Sequence, residues 1–113
     1  MTAPIRGEVW WVDFDPTQGH EQAGRRPALV LSVDAFNRSP ADLVTVLPMT
    51  SKAKGVRSHV RVEPPEGGLT VPSFIKCEET RTVSKGRLGA RLGAVSAATM
   101  AEVGQRVRWL LGV

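Results

Sequence analysis

A single cysteine, Cys77, and two widely separated histidines, His20 and His59, leave this chain short of the residues that build disulfides and metal sites. One thiol excludes an intramolecular disulfide and any zinc site built on paired cysteines. The histidines match neither an HxxxH nor an HExxH spacing, so no metal site is expected. No apolar run approaches the roughly 20 residues that cross a bilayer. The N-terminal MTAPIRGEVW also lacks the hydrophobic stretch of an export signal. The expected compartment is the cytoplasm, with no membrane partner. GxxxxGK[ST], GxGxxG and GxSxG patterns are missing, so neither a nucleotide cofactor nor a serine nucleophile is indicated, and no cofactor is expected. Cys77 itself reads as a small apolar residue in a strand.

What is present fits one domain over residues 1–113. The 113 residues can enclose one modest core, and 42% apolar content argues against disorder. The net charge of +4 is a moderate excess that points toward an acidic or polyanionic partner. Arg25, Arg26, Arg38, Lys52, Lys54, Arg57 and Arg61 fall around the early strands, and Lys76, Arg81, Lys85, Arg87 and Arg91 form a later group. Basic residues recurring at successive loops can converge on one groove after folding.

The hydrophobic pattern changes period once. Glu8 to Phe14 reads as a strand with Trp10, Val12 and Phe14 on one side and Val9 and Trp11 on the other. Further strands are expected at Ala28 to Val33, at LVTVLPM, at SHVRVEP, at roughly Ser73 to Glu79, and near Gly86 to Ala90. DAFNRSP reads as a turn or short helical piece, and EPPEGG as a turn. In SHVRVEP, Val60 and Val62 point inward while His59 and Arg61 point outward. From Ser96, a plain N-cap, the period becomes helical, with Met100, Val103, Val107, Leu110 and Leu111 on one stripe facing the core. Gly104 inside that helix is read as a mark of close packing. Short strands followed by one amphipathic helix predict a small, strongly bent antiparallel sheet or barrel capped by a helix.

The long polar stretch DFDPTQGHEQAGRRP, residues 13–27, separates the first two strands and is far longer than a hairpin needs. Pro27 biases Arg26 toward an extended backbone, which holds its guanidinium at a strand entrance. A guanidinium there can make two parallel bonds to a phosphate. Thr50 ends the apolar run of PMTSKAKG, where its hydroxyl can donate to a phosphate oxygen and Lys52 and Lys54 raise the local potential. Trp10 and Trp11 are candidates for base stacking, although their place in the first strand favours core or dimer packing for at least one.

Taken together, RGEVWWVDFDPTQGHEQAGRRPALVLS, LVTVLPMTSKAKG, SHVRVEP and FIKCEETRTVSKGRLG resemble the MazF/PemK toxins, the ribonuclease halves of bacterial toxin-antitoxin pairs. The resemblance runs through nearly the whole chain in matching order. It implies a mainly β fold with α, a small SH3-like antiparallel β-barrel of the CcdB/MazF/PemK type with a C-terminal helix, assembled as a homodimer. It implies metal-independent cleavage of single-stranded mRNA at a short recognition sequence, and neutralisation by a cognate MazE-like antitoxin. That antitoxin is expected to lay an acidic, disordered tail across the basic groove.

The resemblance assigns Arg26 and Thr50 as catalytic residues, with Glu21 of the GxEQ segment beside them. His20, Gln22, Arg25, Ser51, Lys52, Lys54, His59, Glu79 and Arg81 are the expected RNA contacts. In this chemistry the RNA's own 2′-hydroxyl attacks the adjacent phosphate, so Arg26 would stabilise the growing charge and Thr50 would hold a non-bridging oxygen. Arginine's pKa above about 12 makes it a poor proton carrier. A strongly perturbed Arg26, Glu21, His20 and solvent all remain open for that task. Glu79 stands where many family members carry an amide, and an acceptor-only carboxylate reads base edges differently. A CcdB-like toxin that binds DNA gyrase shares the barrel and is the rival reading.

Overall fold

The computed structural model describes residues 2–15, 19 and 24–113. Seven strands lie in one antiparallel system: β1 (Glu8–Asp13), β2 (Arg25–Val30), β3 (Leu43–Thr50), β4 (His59–Val62), β5 (Ser73–Lys76), β6 (Arg81–Ser84) and β7 (Leu88–Ala94). Two helices complete it, a four-residue α1 (Asp34–Asn37) and the C-terminal α2 (Ala97–Leu111). The strand order is β4-β5-β3-β2-β1-β7, with β6 pairing to β3 beside this path. β3 makes the bend. Its first half, Leu43–Val46, pairs with β6, while Met49 and Thr50 pair with Ile75 and Phe74 of β5.

The two-sided apolar pattern of β1 reflects two separate cores. Val9, Leu29, Leu47 and Met49 share one cluster with Val60, Val62, Ile75 and Val103, under α2. Trp10, Val12, Ala28, Val30, Val44, Val46 and Phe14 form the other, where the sheet curls on itself with Val83 and Leu88. The ladders enforce this division, because Val9 opposes Leu29, Leu29 opposes Leu47, and Val30 opposes Val46. A one-residue slip would exchange the clusters, so register and core composition specify each other.

The expected barrel is a strongly bent open sheet, since no ladder joins β4 to β7 among the described residues. The turn Glu66–Gly68 lies against β7 instead and covers part of that gap. α2 begins as the sequence indicates: Ser96 Oγ accepts from Thr99 N at 3.1 Å. It ends at Gly112, whose φ of 71° is left-handed and whose N–H reaches the Arg108 carbonyl at 2.8 Å.

Several expectations are corrected. β2 starts at Arg25 rather than Ala28, because the β1 ladder holds Arg25 and Arg26 against Asp13 and Val12. The strand expected to run to Glu79 stops at Lys76, and Cys77 opens a short 3-10 turn, Cys77–Glu79, instead of lying in a strand. Its thiol is buried, and that burial, with the Glu78 carboxylate next to it, pushes its pKa up to about 12. β6 was not anticipated, since RTVS carries one buried apolar residue, Val83. β7 extends to Ala94, well past Ala90. The helical stripe is buried only in part: Val103 is enclosed, while Leu110 and Leu111 are exposed. Gly104 does not mark close packing against another element, as the atoms nearest to a Cβ there belong to the flexible Arg108 guanidinium.

Candidate active site

Two prolines set the geometry of the site. Neither Pro27 nor Pro48 can donate to a ladder, and the recorded β2–β3 pairing stops at Ala28 opposite Pro48. Two more steps of that register put Arg26 opposite Thr50, where the strands are no longer stitched together. A cavity of about 260 Å³ opens there, and Arg25, Arg26, Thr50 and Ser51 all line it. Thr50 is 9% exposed, and its Oγ1 accepts the Lys52 backbone N–H at 3.2 Å. That bond uses an oxygen lone pair and holds the rotamer, leaving the hydroxyl proton to point at a ligand oxygen.

The neck of the β1–β2 connection is firmly tied. Phe14 N donates to Gly24 O at 2.9 Å, Gly24 N donates to Asp15 Oδ1 at 3.0 Å, and Arg87 donates to the carbonyls of Asp13 and Asp15. Arg25 lies over the Trp11 ring at 5.8 Å, so the exposed cation and the half-buried indole form one surface. Trp10 is core, and Trp11 reaches the cavity. Glu21, His20 and Gln22 lie outside the described residues.

The remaining expected RNA contacts divide. Lys52 and Lys54 are exposed on the loop that continues from Ser51. Arg81, on β6, sits over the Phe14 ring at 5.0 Å and does not line the cavity. His59 is not a surface residue. Its side chain is 3% exposed and its Nε2 lies 2.9 Å from Glu78 Oε2, because the Cys77–Glu79 turn and α2 fold over the start of β4. Ser58 Oγ donates to the other Glu78 oxygen at 2.7 Å. Burial works to raise the Glu78 pKa, but the bonds from Ser58, its own backbone N–H and His59 outweigh it and hold the carboxyl below its ordinary value.

Glu79 and Lys76 also depart from their expected open placement. Their charged ends meet as an ion pair, with the Glu79 side chain 16% and the Lys76 side chain 9% exposed. The later basic group therefore does not converge on a groove. Lys85 Nζ donates to Asn37 O at 2.6 Å, and Arg91 Nε reaches Glu8 Oε2 at 2.5 Å. Arg91 ties β7 to β1 and Lys85 reaches the end of α1, while Arg25 and Arg26 line the cavity and Lys52 and Lys54 are exposed on the loop beyond Ser51.

Sequence reasoning missed a second part of the cavity lining, Gly68, Leu69, Thr70 and Val71, together with Leu92. EPPEGG reads as a turn, and the apolar residues directly after its glycine pair were the signal that the segment packs against something. Gly68 has φ +71°, and a Cβ there would lie 1.9 Å from the Leu92 carbonyl oxygen. Glu66 braces the same segment: its Oε2 accepts from Ser96 N at 2.9 Å and from Thr99 Oγ1 at 2.6 Å. Those bonds hold the Glu66 pKa below its ordinary value.

Comparison with known proteins gives a consistent answer. The chain is 39% identical over 108 residues to the endoribonuclease PemK of Escherichia coli, covering 94% of this chain and 80% of that one. A crystal structure of MazF from Deinococcus radiodurans superimposes with a TM-score of 0.89 at 35% identity, covering all of both chains. A MazE–MazF structure from the same organism gives 0.81 at 35% identity, over 100% of this chain and 99% of that one. The profile of PemK-like, MazF-like toxins of type II toxin-antitoxin systems matches residues 5–111, and the chain belongs to that family.

Proposed function

We propose that the protein is a metal-independent endoribonuclease toxin that cuts single-stranded mRNA at a short sequence. One observation supports this reading most: Arg26 and Thr50, far apart in sequence, line a single cavity at the end of the β2–β3 ladder. Arg26 supplies a permanent cation with a planar fork of donors, suited to a phosphate whose charge is growing. Thr50 supplies one oriented hydroxyl. The nucleophile is the substrate's own 2′-hydroxyl, which bonds to the adjacent phosphorus as the bond to the 5′-oxygen breaks. The products are a 2′,3′-cyclic phosphate and a 5′-hydroxyl. Arg26 acts in this reading as a charge stabiliser, its planar donors meeting the phosphate oxygens.

The protein works in the cytoplasm as a homodimer and is neutralised by a MazE-like antitoxin. Trp109, Leu111 and Val113 stand exposed at the end of α2, apolar surface of the kind a second copy covers. No helix among the described residues is long and apolar enough to cross a membrane. Arg25, Arg26, Lys52 and Lys54 give an acidic antitoxin tail a basic path over the cavity. The gyrase-binding alternative is not favoured, since the curated relatives are named endoribonucleases.

The test uses purified protein, a long unstructured RNA and EDTA. Discrete cleavage that disappears in Arg26→Ala supports the reading. No cleavage by the unaltered protein at any salt concentration overturns it.

A further inference from the structure

The cavity beside Arg26 and Thr50 has a second wall whose construction exceeds what a connecting loop needs. Gly68 is pressed onto β7, Glu66 fastens the segment to the start of α2, and Ser73, itself buried, donates its hydroxyl to the Val71 carbonyl at 3.0 Å. Three anchors thus hold four residues, Gly68 to Val71, in the lining of the same cavity as Arg26 and Thr50. Yet Val71 is 51% exposed, and Thr70 beside it is exposed as well. An apolar side chain rigidly held at the rim of a cavity and left half-open is surface shaped for a ligand.

Resting on the ribonuclease reading, we propose that this wall seats the nucleobase attached to the scissile phosphate. Thr70 and Val71 are its specificity-determining side chains, and Glu66 is the positioning residue that holds them. A phosphate at Arg26 and Thr50 leaves its own nucleoside within one nucleotide's reach of the wall. The cavity of about 260 Å³ has room for one base. Leu69, Val71 and Trp11 offer apolar and aromatic surface to the face of that base, which any base can use. Discrimination then comes from size and edge. Val71 limits the width available, and the Thr70 hydroxyl can donate to or accept from a base edge.

Cleavage-end mapping on a random-sequence single-stranded RNA pool tests this. Val71→Ala should relax the base preference by about tenfold at one position flanking the cut, the scale expected for a few methyl groups in a binding pocket. Preferences at the other positions should stay. Thr70→Ala should alter the same position. Glu66→Ala should raise KM about tenfold with kcat within about threefold, and Glu66→Gln, which keeps an acceptor oxygen, should restore most of the loss. Thermal unfolding of each variant confirms that it is folded. Unchanged preferences in Val71→Ala and Thr70→Ala, or equal relaxation at every position, overturn the assignment while the ribonuclease reading stands. Failure of the unaltered chain to cut any RNA removes both.

Discussion

The backbones of Gly68 and Gly93 lie against each other with no space for a side chain between them. A Cβ on Gly93 would stand 2.6 Å from Gly68 N, and one on Gly68 would stand 1.9 Å from Leu92 O. This contact joins the turn after β4 to β7, the far edge of the sheet, where no ladder among the described residues closes the structure. Gly93→Ala should therefore force the two segments apart and destabilise by about 1–3 kcal/mol or more, the usual cost of overpacking. Gly24→Ala is the comparison, since a Cβ there meets nothing within 4 Å and only its φ of +74° is strained. Chemical denaturation separates them, and the Gly93 variant should lose more.

Arg26→Lys should recover little of the activity that Arg26→Ala loses. A lysine keeps the charge but gives up the planar fork, so two parallel bonds to one phosphate become a single point contact. Removal of a comparable preorganised donor costs on the order of 10²–10³ in kcat. Single-turnover cleavage of a short RNA containing the preferred site measures it. Near-normal rates in the lysine variant would show that only the charge matters.

At Thr50 the hydroxyl and the methyl group separate cleanly. Thr50→Ser keeps the oxygen that accepts from Lys52 N and should cleave within a few-fold of the unaltered protein. Thr50→Val fills the same volume without the oxygen and should lose rate by much more than it loses affinity. Affinity is read with an RNA carrying 2′-deoxyribose at the cut, which binds without reacting. Equal loss in both measurements would make Thr50 a binding residue with no extra role in the transition state.

Lys76 and Glu79 test how the chain accommodates a charge pair in place of surface contacts. Their side chains, 9% and 16% exposed, meet as one largely buried ion pair, so changing either one alone removes the oppositely charged end of that pair. Lys76→Met by itself should destabilise the fold, and Glu79→Gln should do so less because the amide still accepts a bond. The double variant should regain much of the loss. Urea unfolding of the four proteins gives the coupling, and additive losses would mean that the pair is not energetically linked.

The periodicity of β1, β3 and α2 was legible because each has a clear apolar pattern, and Ser96 and Gly112 mark the limits of α2 in plain local chemistry. The resemblance of their flanking segments singled out Arg26 and Thr50, and what the structure adds is that both line one cavity where prolines interrupt the β2–β3 ladder. What the sequence hid depends on tertiary folding. His59 alternates with Val60 as an outward residue should, but a turn nearly twenty residues later covers it and supplies its carboxylate partner. Lys76 reads as a surface cation until the following turn brings Glu79 back onto it. The cavity wall at Gly68 to Val71 was hidden for the same reason, since its partners are Leu92 and the first turn of α2.

Three carboxylates among the described residues, Glu8, Glu66 and Glu78, contribute to the fold's response to acid. For Glu8, burial works to raise the pKa, but bonds from Ile5 N, Arg91 and Trp10 together bring it below the ordinary 4.5. Glu66 is lowered first by the Ser96 N–H and then by Thr99, and Glu78 by Ser58, its own N–H and His59 against its burial. In each case the folded-state pKa lies below the unfolded one, so the unfolded chain takes up protons first as pH drops. Their stabilisation is therefore complete above about pH 4.5 and is lost as pH falls through the folded values. Thermal unfolding temperatures should fall as the pH is taken below about 4.5. Glu66→Gln should lower the melting temperature at pH 7 and make the acid decline shallower, because one of the three titrating groups is gone. An acid decline of unchanged slope in that variant would mean that Glu66 carries no part of the proton linkage, and that its bonds to Ser96 and Thr99 act without regard to its charge.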